Sequence, residues 1–71
     1  MNAIVPLANG FEEIEAITII DTLRRASIDV KTAYLDSNPV TGSHDISVLA
    51  DISLDEVQSS QADAIILPGG M

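Results

Sequence analysis

Strand and helix patterns alternate along this sequence, and that alternation restricts its fold more than any other feature. Residues 2–7 (NAIVPL) form a short apolar run that predicts a buried strand, and Gly10 follows in a turn where a positive φ is open to it. Residues 12–26 repeat apolar side chains with the helical period, and residues 28–35 alternate with period two. A strand, a helix and a half-exposed strand nearer an edge, in this order, predict a parallel βαβ unit.

Shorter elements follow this unit. Residues 40–51 predict two short β segments on either side of a turn at 43–45, after a loop at 36–39. Residues 54–60 predict a short helix, with Ser53 as its N-cap and Glu56 three residues later completing a capping box. Residues 64–67 predict a last buried strand. The order of elements therefore indicates an α/β domain with a mostly parallel sheet.

The helix predicted over residues 12–26 has an unusually wide apolar face. Its apolar side chains cover an arc of roughly 180° at 100° per residue. They are Ala16, Ile17, Ile19, Ile20, Leu23 and Ala26. An arc of this width predicts contact with a sheet on one side and with a second surface on the flank. Glutamates at the start and Arg24 and Arg25 at the end match the two ends of the helix dipole.

Composition excludes several classes of function. The 71 residues carry a net charge of −8, which disfavours nucleic-acid and anionic-membrane partners. There is no cysteine and only one histidine, His44, so neither a disulfide framework nor a Cys/His zinc site is expected. No signal peptide is evident, and no apolar run reaches the roughly 18 residues of a membrane span. We therefore expect a cytoplasmic protein.

Three glutamates stand at the start of the predicted helix, directly after the first strand. Glu12 and Glu13 fit an acidic first turn, which the helix dipole stabilises. Glu15 lies beside Ala26 and Ile19, at the edge of the apolar arc. A carboxyl buried there would stay protonated, and it could donate a hydrogen bond or exchange a proton. Glu15 is therefore the candidate for chemistry.

Glycine-containing loops follow the first and the last strand, and both would face the same edge of a parallel sheet, where ligands bind. The pair Gly69–Gly70 fits either a tight turn or a loop whose N–H groups hold an oxyanion. The chain has no phosphate-binding glycine motif. His44 and Asp45 fit a solvated turn. These loops predict part of a site.

Two stretches, PLANGFEEIEAITIIDTLRRASIDV and ADAIILPGG, resemble the ThiJ/PfpI superfamily, and most closely its subgroup of the parkinsonism-associated deglycase and its bacterial relatives. The markers are the E-E-x-E helix start, the D-x-L-R-R-A helix end and the strand closing in L-P-G-G. The resemblance implies the N-terminal portion of a flavodoxin-like three-layer sandwich, with residues 1–71 as part of a single domain. Where relatives carry arginine in the turn before Asp45, this chain has His44.

The resemblance also implies roles for individual residues. Glu15 matches a glutamate whose protonated carboxyl binds a reactive cysteine, and Gly69 and Gly70 match glycines whose amides line the pocket beside it. The loop at 9–10, Asn9 and Gly10, matches another pocket wall. Arg25 matches an arginine that reaches the pocket from a dimer partner.

The nucleophilic cysteine itself is absent, and in the family it lies on an elbow past Met71. We therefore expect a fragment, a split chain or part of a longer protein, with the remaining C-terminal part as its partner and no turnover by residues 1–71 alone. A homodimer through the helix at 12–26 is also implied.

For the intact protein the resemblance implies a cysteine-dependent glyoxalase or deglycase acting on small reactive aldehydes such as methylglyoxal, without a metal or an organic cofactor. Two alternatives remain open. One is a redox-sensing, oxidative-stress-responsive chaperone whose cysteine becomes a sulfinate. The other is an intracellular peptidase-like relative, which would need a histidine after the cysteine.

Overall fold

The first three elements form the predicted βαβ unit. The computed structural model describes residues 1–57 and 62–70. In it β1 spans Asn2–Leu7, the helix α1 spans Glu13–Arg25 and β2 spans Asp29–Tyr34. The two strands run parallel in unbroken register from their first residues to their last. This confirms the prediction made from the alternating patterns.

The later elements are short. They are β3 (Val40–Thr41), β4 (Ser47–Val48), β5 (Ile52–Ser53), a 3₁₀ turn (Leu54–Glu56) and β6 (Ala64–Ile65). The main sheet has the order β5-β2-β1-β6, and all of its pairings are parallel. The α/β class with a mostly parallel sheet is therefore confirmed. Of the layers expected for a sandwich, the described residues supply the sheet and α1 on one face.

β1 lies in the middle of the sheet and is buried from Ala3 to Leu7. This burial on both faces explains why residues 2–7 read as a continuous apolar run. β2 was expected near an edge of the sheet, and it lies at an edge for its first residues but not for its last ones. Its last residues, Ala33 and Tyr34, pair with β5, whereas its first residues pair with β1 alone.

The core lies between the sheet and α1. Alternate residues of β1 and β2 point toward the helix, which contributes the fully buried Ala16. The buried cluster consists of Ala3, Val5, Leu7, Phe11, Ala16, Val30, Val40 and Ala50. Ile19, Ile20 and Leu23 pack against this cluster while remaining half-buried. The predicted apolar arc of α1 is therefore used against the sheet, but it is not fully covered.

α1 ends in a left-handed cap formed by a residue other than glycine. Ser27 has φ +64°, and its N–H donates to the Arg24 carbonyl at 3.0 Å. The N–H of Ile28 donates to the Leu23 carbonyl at 3.1 Å. These two bonds form a Schellman motif, in which glycine is the usual residue at the position of Ser27.

β3 and β4 form an antiparallel hairpin outside the main sheet, as the two predicted β segments around the turn 43–45 require. The Asn38 side chain fixes the base of this hairpin with hydrogen bonds to both the N–H and the carbonyl of Ala50. Next to it, Asp51 accepts hydrogen bonds from the N–H of Thr32 at 2.9 Å and from Arg24 at 3.4 Å. The hairpin is thus tied to β2 and to the end of α1.

The helix predicted over residues 54–60 is wrong in its described part. Helical structure is limited to the 3₁₀ turn, and Val57 is extended with φ −78° and ψ 124°. Val57 lines a depression with Ile4 and Ile52 on the sheet face opposite α1. Ser53 does act as the N-cap, accepting from the Asp55 N–H. Residues 58–60 lie outside the described residues.

The last strand is shorter than the predicted residues 64–67, because only Ala64 and Ile65 pair with β1. Its predicted burial is wrong for the described residues, since Ile65 is 61% exposed and Leu67 is 69% exposed. One further bond, from the Ile66 N–H to the Ile4 carbonyl at 2.9 Å, extends its contact. Across the described stretches 1–57 and 62–70, no helix has the length and hydropathy needed to cross a membrane.

Candidate functional site

The loops that follow β1 and β6 meet at the carboxyl edge of the sheet. The N–H of Glu12 donates to the Gly69 carbonyl at 2.9 Å. Gly70 has φ +89°, and a Cβ on it would lie 2.7 Å from the Gly10 carbonyl oxygen. Only glycine fits at Gly70, because a side chain there would face both backbone strain and a main-chain clash. The predicted meeting of the two loops is therefore present.

Glu15 reaches this junction from the first turn of α1. A Cβ built on Gly69 would lie 2.6 Å from Oε2 of Glu15, so the carboxyl rests against the Pro-Gly-Gly loop. The sequence placed Glu15 with Gly69 and Gly70, and the structure brings all three together. The Glu15 side chain is exposed among the described residues, and the burial suggested by its place at the edge of the apolar arc is not found there.

The loop at 9–10 is fixed by the hairpin. The Gly10 N–H donates to the Thr41 carbonyl at 2.8 Å, and the Asn9 Oδ1 accepts from the Thr41 N–H at 3.1 Å. Gly10 has φ +92°, as expected from its place in a turn. Gly10 stands next to Gly70, where a pocket wall was predicted, and Asn9 holds the hairpin beside it.

Glu13 has a role that the sequence did not reveal. Its side chain is buried, with 6% of its surface exposed. Its Oε2 accepts main-chain N–H bonds from His44 at 2.7 Å and Ile46 at 3.3 Å. Its Oε1 lies 3.2 Å from Nδ1 of His44 and 3.4 Å from the hydroxyl of Ser43, which donates to it. One carboxylate thus binds the whole hairpin turn to the start of α1.

The pKa of Glu13 reflects two opposing causes. Burial raises the pKa by disfavouring the charged form. Hydrogen bonds from its own N–H, from the N–H and ring of His44 and from the N–H of Ile46 favour the charged form more strongly. The result is a pKa lowered to about 2. Glu13 is therefore an anion throughout the neutral range.

A signal for Glu13 was present in the helical wheel. At 100° per residue it falls between Ile17 and Ile20, inside the apolar arc, whereas Glu15 lies only at the edge of that arc. Gly42 gives a second signal in the sequence, since a glycine directly precedes the polar turn, and the structure shows it buried. A Cβ on Gly42 would collide with the Glu13 carboxyl group. The glycine thus makes room for the buried carboxylate.

The remaining candidates lie apart from the loop junction. Arg25 donates to Asp21 at 3.0 Å in an exposed pair one turn away, at the opposite end of α1 from Glu15. Within a single chain it does not reach the site. The His44 side chain is 74% exposed. Ser43 and Glu13 both approach its Nδ1, so the three groups do not form a Ser–His–carboxylate relay, which needs both ring nitrogens.

Metal binding finds no support in the described part of the chain. No group of three or more histidine and acidic side chains there is arranged to hold an ion. The junction presents one carboxyl group and main-chain N–H groups, and N–H donors of this kind can stabilise developing negative charge on oxygen.

Known sequences share this arrangement of segments. The model of the DJ-1/PfpI family matches residues 1–71. The protein dj-1beta of Drosophila melanogaster is 45% identical over 71 residues, which are 99% of this chain and 38% of that protein. The deglycase PfpI of Pyrococcus furiosus is 38% identical over 63 residues, which are 89% of this chain and 38% of the deglycase.

Solved structures agree with the sequence matches. The oxidised DJ-1 of Toxoplasma gondii has a TM-score of 0.91 with this chain at 44% identity, covering 99% of this chain and 39% of that one. The chain spans 16% to 42% of the length of the curated relatives considered. The family match over residues 1–71 and the shared fold confirm the resemblance seen in the sequence, and the chain belongs to the DJ-1/PfpI family.

Proposed function

We propose that the protein carrying this chain is a cysteine-dependent deglycase or glyoxalase that acts on small reactive aldehydes of the methylglyoxal class. The observation that carries this proposal is the contact of the Glu15 carboxyl with the Gly69–Gly70 loop at the carboxyl edge of the sheet. The family relation to proteins named deglycases supports the same activity. Residues 1–71 alone would not turn over, since they contain no cysteine.

In the proposed reaction, a cysteine thiolate from the remainder of the protein adds to the aldehyde carbon. The carbonyl π electrons move onto oxygen, which becomes an alkoxide, and a new C–S bond forms. Glu15 then transfers a proton to the alkoxide, which gives a neutral hemithioacetal. No external oxidant or reductant is needed for this step.

The Gly69–Gly70 amides are proposed to hold the alkoxide. Within the described residues, neither N–H has a main-chain hydrogen-bond partner, whereas the Gly69 carbonyl is bound by Glu12. Free N–H donors next to a carboxyl are the groups that an oxyanion needs.

A reactive thiol also favours a reducing compartment, so we propose that the protein is cytoplasmic.

We further propose that two copies associate through α1. Four exposed apolar side chains form a surface that we name the α1–hairpin strip: Ile14, Ile17, Ile46 and Leu49. Ile14 and Ile46 line one shallow pocket, and Ile17 and Leu49 line the next. Ile14 is 82% exposed and Leu49 is 77% exposed. Exposed apolar area of this kind is typical of an interaction surface.

A redox sensor is the second candidate, and the oxidised form of the Toxoplasma gondii relative favours it. In that case the cysteine would be oxidised to a sulfinate, and Glu15 would bind the oxidised group without turnover. The two candidates differ in whether substrate is consumed.

The deciding experiment uses the full-length protein and methylglyoxal. We expect lactate to form in proportion to time and enzyme concentration, and we expect release of free amine from a methylglyoxal-modified peptide if the protein is a deglycase. Replacement of the reactive cysteine by serine should abolish both signals. A protein that consumes neither compound, yet gains the mass of two oxygen atoms at that cysteine under mild peroxide, would be a sensor and not an enzyme.

A further inference from the structure

Glu13 is the one acidic residue that the described part of the chain buries, and the proposed reaction does not use it. A buried charge is costly unless it is fully hydrogen-bonded. The Glu13 carboxylate is hydrogen-bonded by three residues of the hairpin turn: Ser43, His44 and Ile46. A neutral side chain would fill the same space without that cost. We therefore expect the function of the Glu13 carboxylate to lie in the hairpin turn that it binds.

The turn is connected to the pocket wall by main-chain bonds. The Ser43 N–H donates to the Phe11 carbonyl at 2.9 Å, and the Thr41 carbonyl accepts from the Gly10 N–H at 2.8 Å. The Thr41 N–H adds a bond to the side-chain Oδ1 of Asn9. Residues 41–43 and 9–11 thus lie side by side as a short ladder. Because Glu13 holds the far end of the hairpin turn, it fixes how this ladder is placed against α1.

The same ladder reaches the Gly69–Gly70 loop. Gly10 presents its carbonyl to Gly70 so closely that a Cβ on Gly70 would not fit. A shift of the hairpin would move Gly10, and the movement of Gly10 would be passed to Gly70 by direct contact. The contacts form one continuous path from the Glu13 carboxylate to the amides that are proposed to bind the alkoxide.

We propose that Glu13 is a positioning residue of the candidate site: through the hairpin turn it sets the separation between the wall at 9–10, the Gly69–Gly70 loop and the Glu15 carboxyl. This inference rests on the proposed function for its effect on turnover. Glu13 does not touch the loop that would receive the substrate, and so it acts only through the residues that it holds.

Glutamine at position 13 separates position from charge. Its amide oxygen can replace Oε2 and accept the two main-chain N–H bonds of His44 and Ile46. Its NH₂ group can donate to the Ser43 hydroxyl or to Nδ1 of His44. Alanine removes all of these bonds. A positioning role therefore predicts that Glu13→Gln retains most of the kcat/KM that Glu13→Ala loses.

The experiment compares Glu13→Ala and Glu13→Gln with Leu23→Ala in the full-length protein. Leu23 packs at the other end of α1, away from the hairpin turn, so its truncation destabilises the same helix without touching the ladder. At a temperature where all variants are folded, we expect Glu13→Ala to lower kcat/KM for methylglyoxal about tenfold or more, since small misplacements at a site are costly. We expect Glu13→Gln and Leu23→Ala to stay within about threefold of the wild type.

Equal loss of kcat/KM in Glu13→Ala and Leu23→Ala would overturn the inference, because Glu13 would then matter through stability alone. Loss in Glu13→Gln equal to that in Glu13→Ala would also overturn it, since charge and not position would be the cause.

If the wild type shows no turnover, the proposed function fails, and the positioning role is tested by amide NMR spectra of the same variants. Larger shifts of the Gly10 and Gly70 resonances in Glu13→Ala than in Leu23→Ala would support it. Shifts of equal size would reject it.

Discussion

The carboxylate of Glu13 accepts the main-chain N–H of His44 at 2.7 Å, across 31 positions of sequence. This bond joins the start of α1 to the hairpin turn, and it is the shortest of the bonds that the turn makes to Glu13. It also determines how the protein should respond to acid.

The first prediction concerns pH. The pKa of Glu13 in the folded protein is lowered from 4.5 to about 2, so the stabilisation is complete above pH 4.5 and is lost as the pH falls toward 2. The free energy of unfolding of the wild type should therefore fall more steeply over this range than that of Glu13→Gln. Urea unfolding at several pH values measures both slopes. Parallel slopes would contradict the assigned pKa.

The second prediction concerns the pair formed by Glu13 and Gly42. Gly42→Ala should lower the free energy of unfolding by about 1–3 kcal/mol, the usual cost of overpacking, because its Cβ meets a carboxyl group that its hydrogen bonds hold in place. In a Glu13→Ala background the space is free, and the same change should cost much less. A double-mutant cycle by denaturant unfolding gives the coupling energy. Additive effects of the two changes would argue against the collision.

The third prediction concerns the cap of α1. Ser27 has φ +64°, a conformation that costs a residue with a Cβ about 1 kcal/mol. Ser27→Gly should raise the free energy of unfolding by about that amount, and this would appear as a higher denaturation midpoint. Ser27→Ala is the matched control, since it keeps the Cβ and should bring no gain. A gain of equal size in both variants would point to a cause other than backbone strain.

The fourth prediction concerns Glu15. If its carboxyl transfers the proton to the alkoxide, Glu15→Gln should lower kcat for methylglyoxal by about 100-fold or more, the usual contribution of general acid–base catalysis. Asp21→Asn makes the same change from carboxyl to amide in the opposite half of α1 and serves as the control. Full turnover in Glu15→Gln would remove Glu15 from the mechanism.

The fifth prediction concerns the α1–hairpin strip. We expect the full-length protein to be a dimer in sedimentation velocity, and Ile14→Glu to shift it toward the monomer, because a charge would enter an apolar interface. Leu35→Glu after β2 is the control, since Leu35 is also apolar and 44% exposed but lies off the strip. A wild type that sediments as a monomer at high concentration would reject the proposed association.

Local patterns predicted most of the fold. The strand at 2–7, the helix at 12–26 and the strand at 28–35 were recognised within a residue or so at each end, because burial imposes a period on neighbouring residues. The helix at 54–60 was predicted from a capping pattern that is also local. Helical structure ends at Glu56, and the extended Val57 lines a depression with Ile4, which comes from a distant part of the chain.

The candidate site was predicted for a similar reason. The carboxyl ends of parallel strands share one edge of the sheet, so Glu15, Gly69 and Gly70 could be placed together without coordinates. The role of Glu13 could not be read in this way, since its partners at 43–46 belong to a hairpin whose docking depends on tertiary contacts. The position of Glu13 inside the apolar arc of the helix suggests burial, but it does not show that the turn at 43–46 supplies the hydrogen bonds that this burial requires.

The position of β1 has a consequence for the order of assembly during synthesis. Asn2 and Asp63 are joined by two hydrogen bonds across 61 positions, at the point where β6 docks on β1. The βα unit and the hairpin can form as soon as they leave the ribosome, but the second neighbour of the central strand arrives only with β6. The nascent chain therefore carries a β1 that is paired on one side only until β6 has been made, and the junction of the two glycine loops cannot close before residues 64–70 have been synthesised.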